Sequence, residues 1–134
     1  MPEPACSPFS YTILRVVPSV ERGEQFNVGV VLFCRQLGFL AARVALDESR
    51  LAALGPDVPA AGLAAHLEAL VRVAEGARDA GAIAAMPQSE RFGWLAAPSS
   101  TIVQASGVHT GLSQDPEETL AALFERLVAP VAPG

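Results

Sequence analysis

The chain has 134 residues, of which 51% are hydrophobic and 17% charged, and its formal net charge is −5. A chain of this length builds one domain that buries roughly 70% of the surface its unfolded form exposes, and this ratio of apolar to charged residues excludes intrinsic disorder. All nine basic residues are arginine within an acidic balance, so the clustered cations that neutralise phosphates are missing and nucleic acid is not an expected partner.

The first residues, MPEPACSPFS, have neither the basic start nor the apolar stretch of a secretory signal. No uncharged apolar run approaches the ~20 residues that a membrane span needs. Cys6 and Cys34 form no CxxC pair and read as unpaired, reduced thiols. Together these features predict a soluble, cytoplasmic protein without a membrane partner.

In chain order, residues 1–8 form a proline-rich leader expected to fray, with regular structure starting at Phe9 or Ser10. Tyr11–Val17 is rich in β-branched and aromatic residues and reads as a strand closed by Pro18. Arg15 interrupts one of its faces, either as a strand-edge residue reaching for water or as a cation aimed at Glu21 or Glu24. The connection SVERGEQF turns at Gly23, where positive φ costs nothing. A second strand follows from Asn27 to Cys34, and its unbroken run VGVVLFC predicts a central strand buried on both faces. Gly29 within it marks a bulge or a close approach to the backbone. Arg35 to Gly38 turn the chain into a third strand, Phe39–Leu46, with Leu40, Ala42, Val44 and Leu46 on the face expected to meet the main core.

Asp47 is placed to cap a short helix, ESRLAAL, that stops at Gly55. Pro59 opens a longer helix expected to reach about Ala80, with Leu63, Leu67, Leu70, Val71 and Ala74 on one face and Glu68 paired with Arg72 outside. Gly81–Pro98 reads as a connection centred on Arg91, Phe92 and Trp94, which either stack a flat ligand or plug the end of the core. Ser99–Ser106 predicts a fourth strand, and Gly107–Gly111 a short fifth strand or a glycine-bounded loop. Asp115, Pro116 and Glu118 give a near capping box for a last amphipathic helix carrying Leu120, Leu123, Phe124, Leu127 and Val128, before a loose tail, residues 129–134.

The order of strands and helices predicts a single α+β domain over residues 9–128. Its sheet is mainly antiparallel, of four to five strands, and covered by helices mostly on one face. One pairing is allowed to be parallel, because the segment after the long helix can return beside any of the first three strands. His66 and His109 are the only histidines, and a metal site would have to bring them together with Cys34 or carboxylates. No metal or cofactor is expected.

The segments YTILRVVPSVERGEQFNVGVVLFC, RFGWLAAPSSTIVQASGVHTGL and DPEETLAALFERLV, with their signatures RGExxNVGV and SxxVxxSxxHxGL, resemble the bacterial family catalogued as domain of unknown function 3037. The resemblance implies polar signature positions at Arg22, Glu24, Asn27, Ser100, Ser106 and His109, and a HipA-like kinase-fold neighbour as a partner. Two functions follow as expectations. The first is a non-enzymatic interaction module that binds a protein partner or itself, since no nucleophile elbow, P-loop or dinucleotide fingerprint occurs. The second is a small-molecule or phosphoryl-handling site, with Arg22 binding an anion, Glu24 as acid or base, and Asn27, Ser100, Ser106 and His109 around them. It requires the first connection and the Gly107–Gly111 segment to meet in space.

Overall fold

The computed structural model describes residues 5–97 and 102–129. Its sheet is built on β1 (Ser7–Val16). This strand starts earlier than Phe9, because Ser7 and Pro8, from the expected leader, pair with Ser113 and Leu112 near the other end of the chain. Neither residue carries a strand preference of its own, so only the long-range pairing reveals them. Of the expected leader and tail, residues 1–4 and 130–134 lie outside the described residues.

β1 is paired along both sides. β2 (Phe26–Cys34) lies antiparallel on one side, and β3 (Phe39–Val44) continues the sheet through a turn in which Gly38 takes a φ of +60°. On the other side, β4 (Val103–Ala105) pairs with the C-terminal part of β1 and β5 (His109–Ser113) with its N-terminal part. All these pairings are antiparallel. The parallel alternative fails because the returning segment runs along β1 from its Val16 end back towards Ser7.

A bulge at Gly29 decides which side chains face which core. Leu14 is opposite Gly29, but Arg15 is opposite Asn27, so Val28 is an extra residue in β2. The extra residue shifts the alternation of β2. Phe26 and Val28 face the same core as Val31 and Phe33, whereas Val30, Leu32 and Cys34 face the other. Glycine is needed here. A Cβ on Gly29 would stand 2.9 Å from both the Arg43 carbonyl oxygen and the Val44 Cγ1.

The two cores explain the unbroken apolar run of β2. On one face lie α1 (Glu48–Leu54), α2 (Ala60–Glu75) and α3 (Gln88–Ala96), contributing Leu51, Leu63, Leu67, Leu70, Phe92 and Leu95. The other face is covered by α4 (Pro116–Leu127), whose Leu120 and Leu123 pack with Phe9, Val30, Leu32 and Cys34. Helices therefore lie mostly on one face, and the final helix gives β2 its second buried side. Leu40 and Ala42 of β3 join the larger core, as their alternation requires. Among the described residues, no helix is long and apolar enough to cross a membrane.

The capping residues act as their types dictate. Asp47 accepts from the Ser49 and Arg50 amides at 3.0 and 3.1 Å, and Asp115 from Glu117 and Glu118 at 3.1 and 3.2 Å. Two expectations are corrected. First, α2 stops at Glu75, not near Ala80, because Gly76 adopts a left-handed φ of +71° and its amide bonds back to Arg72 and Val73. Arg72 accordingly pairs with Asp79 beyond the cap rather than with Glu68. Second, the connection over Gly81–Pro98 contains α3, preceded by a 3₁₀ turn at Ile83–Ala85. Its Arg91 donates to the Met86 carbonyl at 2.6 Å and to the Ala74 carbonyl at 3.3 Å, which ties α3 to the end of α2.

Candidate functional site

The charged connection between β1 and β2 turns at Gly23, which takes a φ of +70°. Arg22 and Glu24 flank that turn and pair with each other, Nη2 to Oε1 at 2.6 Å, with Arg22 well exposed. An exposed pair of this kind contributes little to stability. Asn27 is committed elsewhere. Its amide donates to the Leu127 carbonyl at 3.0 Å, and its oxygen accepts from Arg15 Nε at 3.3 Å. Arg15 thus meets an amide rather than Glu21 or Glu24, and the two side chains link β1 and β2 to the last turn of α4.

Ser106 is buried at the junction of β4 and β5. Its amide donates to the Ile13 carbonyl at 2.8 Å, and its hydroxyl accepts the Ile13 amide at 2.9 Å. The hydroxyl therefore stands in for a backbone acceptor where the ladder between β1 and the returning strand changes register. Thr12, also buried, donates to the Ser106 carbonyl at 2.9 Å. The serine closes a break in the sheet. Ser100 lies outside the described residues.

His109 is exposed on β5 opposite Tyr11, with the two rings stacked at 5.1 Å. Tyr11 and Val16 are five positions apart along β1, about 16 Å of strand, and the Arg22 turn leaves β1 beyond Val16. Among the described signature residues, Arg22, Glu24 and Asn27 are gathered at one end of β1, Ser106 lies beside its middle, and His109 is near the other end. Phe92 and Trp94 also part company, since they occupy different sides of α3. Phe92 packs on Phe33 with ring centroids 5.5 Å apart and plugs the core, while Trp94 stays 46% exposed.

His66 lines an apolar groove of about 440 Å³ with Val58, Pro59, Leu63, Ile102 and Val103. Among the described residues, no group of three or more His, Cys, Asp or Glu is placed to hold a metal ion.

What signature reasoning missed is an uncharged edge. From Phe92 to Gln114 the chain has no Asp, Glu, Lys or Arg, a run about twice as long as the next, Pro4–Leu14. This run contains β4 and β5, which form one margin of the sheet. It also holds Trp94, Ile102, Val108 and Leu112, whereas the other exposed large hydrophobic residues among those described are Val20 and Leu37. Leu112 is 70% and Val108 51% exposed. Leu112 is opposite Pro8, on the face away from Phe9 and Tyr11, where Pro8 and Thr110 are exposed as well. The signal was legible as a gap in the charge pattern.

No curated protein and no solved structure matches the chain. A family model described as a protein of unknown function (DUF3037) matches residues 11–128, which span every element from within β1 to the end of α4. The chain belongs to that family.

Proposed function

We propose that this domain is a non-enzymatic protein-interaction module whose working surface is the uncharged margin formed by β4 and β5. The observation that carries this reading is the exposure of Leu112 and Val108 on and beside an edge strand without a charged residue. Open edges of this kind take an added strand, with main-chain hydrogen bonds giving affinity and neighbouring side chains giving selectivity. Four of the described polar signature residues support the reading by having partners within the fold. Asn27 holds α4, Ser106 completes the ladder and Arg22 pairs with Glu24. The occupant of the edge is either a second copy or a HipA-like kinase-fold neighbour. A cytoplasmic setting belongs to the same reading, and free Cys6 and Cys34 support it.

The test is sedimentation velocity of the purified chain, alone over a dilution series and mixed with the HipA-like neighbour, for the wild type and for Leu112→Arg. A complex of either kind that Leu112→Arg weakens is the expected result. A wild-type chain that stays monomeric and leaves the neighbour's sedimentation unchanged would overturn the proposal.

A further inference from the structure

Resting on the interaction-module reading, we infer that the occupant of the β5 edge is a second copy of this chain, added antiparallel across a twofold axis near Gly111. An edge that pairs with itself is under an electrostatic constraint. In an isologous contact each residue near the axis meets its own counterpart or a close neighbour of it. A charge there faces the same charge, and like charges directly opposite one another destabilise a strand pair. A different partner could answer such a charge with its opposite, so a self-pairing edge has the stronger reason to be neutral. The strand HTGLS itself meets that demand, with Asp115 and Glu118 at the start of α4 bordering Leu112 on one side, in a chain that carries a net charge of −5.

The two margins of the sheet also differ. β3, on the far side, carries exposed Arg43, and α2 and α4 both pack against it. An exposed charged residue on the strand is a device that keeps an edge from pairing. β5 reads HTGLS and has neither charge nor proline.

The register of β5 on β1 sets where the axis falls. Gly111 lies directly over the Phe9 ring, where an added Cβ would stand 2.6 Å from the Phe9 Cζ. This contact seats β5 closely on β1, while the register change at Ser106 limits the straight edge to His109–Ser113. With an axis near Gly111, Leu112 of one copy is opposite Thr110 of the other. The two Leu112 side chains then lie diagonally on the same face, roughly 7–8 Å apart. Each exposed leucine is covered by the corresponding region of the second copy.

Sedimentation equilibrium of the full chain tests this with paired charge variants. The wild type should reach twice the monomer mass of 13.9 kDa as concentration rises. Leu112→Arg and Leu112→Glu, each alone, should raise the dimer Kd at least about tenfold, and an equimolar mixture of the two should recover dimer. Leu112 is so exposed that both variants should keep the melting temperature of the wild type at concentrations where the wild type is monomeric, and Thr110→Arg provides an independent disruption of the same edge. A monomeric wild type, variants that each dimerise normally, or a mixture that does not recover would each overturn the inference. If the wild type is monomeric yet binds the HipA-like neighbour, and Leu112→Arg blocks that binding, the second copy is refuted while the interaction module stands. If neither forms, both fall.

Discussion

Replacing Ser106 by alanine separates a structural role for this signature residue from a ligand-binding one. The Ser106 hydroxyl accepts the buried Ile13 amide at 2.9 Å, and it also donates to the Gly107 carbonyl at 2.9 Å. Alanine removes that acceptor and leaves the Ile13 amide buried without a partner, at a cost of about 1–3 kcal/mol. The Ser106 backbone bond to Ile13 and the Thr12 bond to the Ser106 carbonyl survive the change, so about 2 kcal/mol is the expected loss. For a domain of this size that corresponds to a fall in Tm of roughly 8 °C. Thr12→Val is the control. It removes the donor to the Ser106 carbonyl but leaves the Ile13 amide paired, and because an under-satisfied carbonyl is tolerated better than an orphaned amide it should cost about 1 kcal/mol. Thermal and urea unfolding followed by circular dichroism give both values. A Ser106→Ala chain as stable as the wild type would refute the ladder role, and loss of binding at full stability would make Ser106 a contact residue.

The other expected outcomes concern the bulge, the last helix and the first turn. Gly29→Ala should destabilise the chain by about 1–3 kcal/mol in urea unfolding, because the new methyl meets backbone at Arg43 that cannot turn aside. Asp115→Ala should cost about 1 kcal/mol by removing the acceptor for two amides at the start of α4, measured in the same way. Arg22→Ala should change stability by less than about 0.5 kcal/mol in low or high salt, since its pair with Glu24 is exposed. A larger loss would show that the turn does more than close on itself.

The fold was legible wherever a local pattern has one physical reading. The burial of β2 followed from its apolar run, the bulge from Gly29, and both capped helices from Asp47 and Asp115. It was not legible where the cause is remote. Ser7 and Pro8 become strand through β5, and α3 buries Phe92 and Leu95 from a segment interrupted by Gly93. The end of α2 was misplaced for a different reason: apolar residues continue past Glu75, and the left-handed Gly76 outweighs them. At the candidate site, the sequence marked Arg22, Glu24, Asn27 and Ser106 as polar side chains without revealing that their partners lie within the fold. Asn27 shows this most clearly, because Leu127 is its partner across nearly the whole chain. The exposed leucine of β5 was hidden in an alternating pattern that gives no sign of which face the helices leave uncovered.

Amide hydrogen exchange of the full chain over a dilution series, with peptides resolving His109–Ser113 and Phe39–Val44, tests the interaction surface most directly. Protection in β5 should rise with protein concentration, or on addition of the HipA-like neighbour, while β3 exchanges at the same rate throughout. Exchange in β5 that is independent of both concentration and the neighbour would contradict an interaction surface there.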